Sequence, residues 1–269
     1  MKFNQIVKDI KSLKIQGATN VAKWGLKALK LEFNAKAIKQ LKDARPTEPC
    51  LINAIKFAKE NDVDTAYHYL HNMQKRVLLI SAIHIKNKKY IKNVFTHCHS
   101  STVTKSLINA KKHGKRFSVS NTETRPLYQG QKTAIELAKE KIKVNYHVDS
   151  AADKAISESD IVLLGCDMIT PNGSVYNKIG SYAISELAKK HKIPVYIITN
   201  SWKYSNKKLK IEQRDPKEIW GTTSKYIKVH NPAFEEIPAG NITGIISELG
   251  VLPVKKFLKK VHKTYPWIK

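Results

Sequence analysis

NVFTHCHSSTVTKSLINAKKHGKRFSVSNT, residues 93 to 122, decides the fold. It opens on a short β-rich run, VFTH at 94–97, passes through a helical stretch from 103 to 113, and returns to extended sequence in RFSVSNT at 116–122. A strand, a helix and a second strand within this length make a right-handed crossover between parallel neighbours. Toward the C-terminus the unit repeats. A helical stretch at 130–140 precedes KVNYHV at 143–148, and another at 150–157 precedes DIVLLG at 160–165. Helical sequence at 179–191 leads to PVYIIT at 194–199, and ITGIISE at 242–248 leads to a last helix from about Pro253. Alternation at this spacing predicts a parallel sheet covered on both faces, Rossmann-like in architecture.

Toward the N-terminus the pattern is different. From Ile6 to about Tyr90 apolar residues recur at three and four, as in Val21, Trp24, Ala28 and Leu31, and again in Leu70, Met73 and Val77. Breaks fall at 15–20, where QGATN supplies a glycine turn and cap residues, and at 45–49, where two prolines bracket Thr47 and Glu48. The reading is an α/β protein with an N-terminal helical domain, 1–90, followed by a Rossmann-like α/β catalytic domain, 91–269.

The 269 residues are 42% hydrophobic and 26% charged, the profile of an ordinary globular chain long enough to bury its own core. No segment reads as a membrane span. The start, MKFNQIVKDIKSLKIQG, lacks a signal peptide's apolar centre and cleavage site, so a cytoplasmic location is expected. Three cysteines, Cys50, Cys98 and Cys166, are too few and too unevenly placed for a disulfide framework or a four-ligand zinc site. The net charge of +26 would attract nucleic acid or phosphorylated ligands. It is almost all lysine spread along the chain, with only Arg45, Arg76, Arg116, Arg125 and Arg214, and no nucleic-acid-binding motif accompanies it. Specific nucleic-acid binding is not expected.

No GxGxxG follows the first strand, so dinucleotide binding has no support. Ligands of such sheets bind at the carboxyl ends of the strands, which directs attention to four stretches. Thr96-His97-Cys98-His99-Ser100-Ser101-Thr102 places a thiol at a helix start between imidazoles, where dipole and imidazolium would favour a thiolate. Its hydroxyls and amides suit a phosphate, although Ser100 to Thr102 could equally cap the helix over a packed cysteine. Gly165-Cys166-Asp167 ends a strongly apolar strand, so Asp167 is either a desolvated acid or an Asx-turn residue. Asn177-Lys178-Ile179-Gly180 reads as a helix opening, where a lysine opposes the dipole unless it serves an anion. Within the 123–130 stretch, which includes Gln129, Arg125 is either a phosphate fork or an ion-pair partner of Glu123. Lys203, beside Trp202 and Tyr204, is either a substrate clamp or one more solvated lysine.

Taken together, IQGATNVAK (15–23), ARPTEP (44–49), THCHSS (96–101), TETRPLYQG (122–130), GCDMITPNG (165–173), NKIG (177–180), NPAF (231–234) and ISELG (246–250) resemble one superfamily. It unites the regulatory subunits of translation initiation factor 2B with methylthioribose-1-phosphate and ribose-1,5-bisphosphate isomerases. The resemblance spans nearly the whole chain. It implies that Cys98 moves the proton and Asp167 is the acid of an aldose–ketose isomerisation, with no metal or organic cofactor. It also implies a phosphorylated sugar bound by Gly17, Ala18, Arg45, Ser100, Ser101, Thr102, Asn177, Lys178 and Lys203, and at least a homodimer. Two positions depart from the ribose-1,5-bisphosphate branch: Gln16 stands where its first loop has an arginine, and Ser101 where its cysteine motif has a lysine. Each removes a charge from an expected phosphate site. The alternative the resemblance leaves open is a non-catalytic regulatory subunit that binds a nucleotide or sugar phosphate and contacts an initiation factor.

Overall fold

The computed structural model describes residues 1–207, 212–222 and 224–268. Five helices come first: α1 (Phe3–Lys11), α2 (Ala18–Leu31), α3 (Ala35–Ala44), α4 (Pro49–Glu60) and α5 (Val63–Asn87). Their ends follow local chemistry. Asn34 and Asp62 cap α3 and α5 by accepting from the amides of Ala37 and Thr65 at 2.8 and 2.7 Å, and Pro49 opens α4, where no amide proton is needed.

The sheet begins with β1 (Asn93–Thr96) and proceeds through α6 (Ser101–Lys112), β2 (Ser118–Thr122), α7 (Gln129–Lys139), β3 (Lys143–His147), α8 (Ala152–Ser157) and β4 (Ile161–Leu164). Two short strands follow, β5 (Met168–Ile169) and β6 (Val175–Lys178), then α9 (Ser181–Lys190) and β7 (Val195–Ile198). The chain closes with β8 (Phe234–Ile237), β9 (Gly244–Ser247), β10 (Gly250–Leu252) and α10 (Val254–Thr264). The main sheet has the order β10-β9-β7-β4-β1-β2-β3 and is parallel except for β10, which returns antiparallel along β9. β1 and β4 are neighbours although β2 and β3 intervene in sequence, so the winding direction reverses between them. That crevice is where open α/β sheets hold ligands.

Period-two alternation distributes the strand side chains over two cores. Phe95, Val162, Leu164, Ile197 and Ile245 face one side with residues of α1 to α4, α9 and α10. Val94, Ile161, Leu163, Ile198 and Ile246 face the other with α6 and α7. The long α5 serves both, Leu70 and Met73 joining the first core and Val77, Ala82 and Ile85 the second. β4 (IVLL) is buried along its whole length, the signature of a strand covered on both faces.

Two features depart from the sequence expectation. A second sheet, β5-β6-β8, is antiparallel and lies outside the strand–helix alternation of the main sheet. Consequently Asn177 and Lys178 end β6 and do not open a helix. α9 starts at Ser181, behind Gly180 in the left-handed region at φ 98°. A Cβ on Gly180 would also meet the His97 ring at 3.0 Å, so this turn needs glycine twice over.

Candidate functional site

A cavity of about 360 Å³ opens at the carboxyl ends of β1 and β4. Cys98 enters it two residues beyond β1 and Asp167 three residues beyond β4. The two loops touch: a Cβ on Gly165 would lie 2.8 Å from the side chain of Ser100, so the β4 loop passes the α6 cap only because that position has no side chain. Ser100 caps α6 by accepting from the Val103 amide at 3.4 Å.

Cys98 sits in the left-handed region at φ 64°, unfavourable for a residue with a Cβ. Hydrogen bonds hold it there. Its amide donates to Thr124 Oγ1 at 2.9 Å, and its carbonyl accepts from Thr133 Oγ1 at 2.8 Å. Burial pushes the thiol up to about 11, against the opposing pull of the Lys178 ammonium. The flanking imidazoles do not supply the expected positive charge, because burial lowers both His97 and His99 below the ordinary histidine range. His97 Nε2 lies 2.8 Å from the Ile179 carbonyl, which accepts its proton, leaving Nδ1 to accept from Thr122 Oγ1 at 2.6 Å. His97 is therefore a neutral brace across the site. Sequence proximity alone suggests an activated thiolate, and desolvation reverses that here.

Asp167 is pushed above the ordinary carboxyl range by burial, which outweighs the nearby charges of Lys203, Lys178 and Arg45. Lys203 is 6% exposed and donates to the Cys166 carbonyl, one residue from Asp167. Its segment is fixed from α4: Asn53 Nδ2 donates to the carbonyls of Trp202 and Tyr204 at 2.8 and 2.9 Å. Trp202 is fully buried and stacks on Tyr69 with ring centroids 5.4 Å apart. Lys203 is thus a built part of the wall rather than a solvated lysine. Asn177 donates to Ser181 Oγ at 2.9 Å, and Lys178 lies 5.1 Å above the Phe234 ring.

Gln16, Gly17 and Ala18 bring the start of α2 to the cavity, Ser101 and Thr102 the start of α6, and Gln129 the start of α7. Arg45 reaches it from the end of α3. Arg125 does not. It is exposed, stacks 5.0 Å from the Tyr128 ring and donates to the Tyr128 hydroxyl, with no ion pair to Glu123 among the described residues. Its strand-end position was correct for a ligand residue, but the chain turns it to solvent.

Several lining residues gave no sequence signal. Glu48 reads only as part of the proline-bracketed break, and Gln74, on α5, belongs to none of the motifs of the sequence. Arg214 also lines the cavity, and the scarcity of arginine could have found it; its guanidinium is held by Glu218 at 2.8 and 2.9 Å. Buried polar atoms without a protein partner gather here: Arg45 Nε, Glu48 Oε2, Gln74 Oε1 and Gln129 Oε1. Such groups are costly unless a ligand or water completes them. Among the described residues no cluster of histidine, cysteine and carboxylate side chains is arranged to hold a metal ion.

Fold and cavity together define a doubly wound α/β protein with a polar, cation-lined cavity at its topological switch point, the place where such folds hold ligands. The chain belongs to the initiation factor 2 subunit family, whose sequence model matches residues 26–254. It is 31% identical to a ribose 1,5-bisphosphate isomerase of Thermococcus kodakarensis over 98% of this chain and 94% of that one. Among solved structures it resembles 5-methylthioribose 1-phosphate isomerase from Pyrococcus horikoshii, with a TM-score of 0.79 and 25% identity over 98% of this chain and 88% of that one. It resembles equally a Pyrococcus horikoshii protein described as translation initiation factor eIF-2B, at a TM-score of 0.80 and 26% identity over 93% and 96% of the two chains. No described helix is long and apolar enough to cross a membrane.

Proposed function

We propose that this protein is an aldose–ketose isomerase acting on a ribose 1-phosphate-type sugar, ribose 1,5-bisphosphate first among them, with Asp167 as acid and Cys98 as the group that moves the proton. The observation that carries this reading is the meeting of Cys98 and Asp167 in one cavity from the ends of the adjacent strands β1 and β4. The near full-length similarity to ribose 1,5-bisphosphate isomerases supports it.

The chemistry follows from the two groups. Protonated Asp167 donates to the ring oxygen as the bond from C1 to that oxygen breaks, leaving a cationic C1. Cys98 thiolate removes the C2 proton, giving an enol between C1 and C2, and the resulting thiol returns that proton to C1. The C2 hydroxyl proton passes to the Asp167 carboxylate as the ketone forms, so both residues end as they began. A thiol pushed up to about 11 is a thiolate only about once in ten thousand molecules at neutral pH, but it is then a strong base toward carbon. Both groups are weaker acids than usual because of burial, which suits a dry site in which acid and base wait for substrate charge.

Phosphate recognition falls to Gly17 and Ala18, Ser100 to Thr102, Arg45, Lys178 and Lys203, with Asn177 and Gln129 supplying neutral contacts. Lys23, Lys105 and Lys132 also line the cavity, so the positive charge absent at Gln16 and Ser101 is carried by neighbours. That favours a doubly phosphorylated sugar. We place the reaction in a homo-oligomer, dimeric at least.

The test is NMR of purified protein with ribose 1,5-bisphosphate, methylthioribose 1-phosphate and ribose 1-phosphate. A ketose should appear with the wild type, and Cys98→Ser and Asp167→Asn should each lower its rate at least about a hundredfold while the fold persists. Full activity in either variant overturns the assignment, and silence of the wild type on all three sugars turns the reading toward the regulatory subunit.

A further inference from the structure

We propose that Lys23 and Lys105 form a second phosphate subsite, which makes this protein select a sugar phosphorylated at both ends over one phosphorylated at C1 alone. The inference rests on the isomerase reading of the site and adds to it the residues that set its specificity.

The cations that line the cavity fall into two groups by their place in the fold. Arg45, Lys178 and Lys203 arrive from the end of α3, the end of β6 and the segment after β7, and their charges act on Asp167. Each already has a contact in the wall: Arg45 with Glu48 at 2.8 Å, Lys178 with the Phe234 ring and Lys203 with the Cys166 carbonyl. Gathered at the acid that opens the ring, this group takes the phosphate on C1.

Lys23 and Lys105 stand on α2 and α6, and contacts through α5 tie those two helices together. Lys23 Nζ lies 3.5 Å from His71 Nδ1 on α5. One turn further along α5, Gln74 Nε2 donates to Thr102 Oγ1 at 3.1 Å, and Lys105 follows Thr102 by one turn of α6. Lys23, Gln74, Thr102 and Lys105 all line the cavity. Helical side chains lean toward the N-terminus of their own helix, so Lys23 lies over the first turn of α2 and Lys105 over Ser101 and Thr102. Both ammonium groups are thus carried back to the helix ends that border the cavity.

No carboxylate neutralises this second group. Among the described residues neither lysine takes part in an ion pair. The partner of Lys23 is an imidazole that burial and the ammonium itself hold below the ordinary histidine range, so His71 accepts as a neutral ring. Burial lowers Lys23 in turn, and the Lys105 charge adds to this. α2 opens on Gly17, at φ 84°, without a side-chain cap, so the amides of its first turn add to the positive end of the cavity. A phosphate dianion there relieves the repulsion and accepts charge-assisted hydrogen bonds from both lysines. A neutral group on C5 does neither.

The test is steady-state kinetics of the wild type, Lys23→Gln, Lys105→Gln and the double variant on ribose 1,5-bisphosphate and ribose 1-phosphate. The wild type should prefer the bisphosphate. Each single variant should raise KM for it about tenfold and the double variant about a hundredfold, with values for ribose 1-phosphate kept within about twofold, so that the preference collapses. Lys112→Gln, which removes an α6 lysine paired with Glu140 at 3.6 Å and away from the cavity, should change neither sugar. Equal losses on both sugars, or no loss on the bisphosphate, would overturn the subsite.

A second readout needs no turnover. Calorimetric binding of the same two sugars to Cys98→Ser, with and without the lysine substitutions, should show the same collapse of preference. If the wild type makes no ketose but binding shows that collapse, the isomerase reading fails and the subsite stands. If ketose forms and the preference for the bisphosphate survives the double substitution, the subsite fails and the isomerase reading stands. Binding of neither sugar overturns both.

Discussion

At the scale of single residues the site is governed by burial more than by neighbouring charge. Cys98 lies between two histidines and near Lys178, and desolvation still holds its thiol up to about 11. Alkylation by iodoacetamide should therefore be slow at neutral pH and gain about tenfold per pH unit toward that value, with Cys98→Ser removing the reaction. Cys50 and Cys166 are buried and should not contribute while the fold holds. A reaction already at its maximum rate at pH 8 would contradict the assigned protonation state. The sequence made Cys98 and Asp167 visible because each follows an apolar strand in a short polar loop. It could not make Glu48 visible, because that carboxyl reaches the cavity from a helix cap in another part of the chain. Arg125 shows the opposite failure. Its position in the strand-end loop was legible, but the direction of its side chain depends on the turn that carries Tyr128.

Among the elements, the long-period alternation after residue 93 announced β1 to β4, β7 and β9 with their helices, since each has four or more residues of one period. β5, β6, β8 and β10 escaped because they pair antiparallel, outside the strand–helix alternation, and pairing partners rather than local pattern define them. The segment after β7 illustrates how a distant element sets a cavity-lining side chain. Asn53 on α4 holds the carbonyls of Trp202 and Tyr204 on either side of Lys203. Asn53→Ala leaves two buried carbonyls unpaired and should cost about 1–3 kcal/mol in chemical denaturation. If Lys203 clamps phosphate, the same variant should raise KM more than it lowers kcat. Unchanged stability would mean that the aromatic stack of Phe57, Tyr69 and Trp202 positions the lysine alone.

For the whole molecule, the net charge of +26 and the placement of large apolar side chains bear on assembly. Leu79 and Ile83 stand exposed on α5, Ile135 on α7 and Tyr146 on the edge strand β3. Edge strands left open in this way invite pairing, and a highly charged chain is otherwise kept apart by repulsion. Light scattering at micromolar concentration should give at least twice the 30.5 kDa of one chain, and a single-chain mass would refute the proposed oligomer.

The contact between Gly165 and Ser100 has a wider meaning. Because the loops bearing Cys98 and Asp167 are wedged against one another at the carboxyl ends of two adjacent, largely buried strands, their spacing is inherited from the sheet and not from the periphery. Mutation can then rewrite the outside of the protein, even to a lysine-laden coat such as this one, without retuning the distance between the two side chains. The chemistry and the surface are free to evolve at separate speeds.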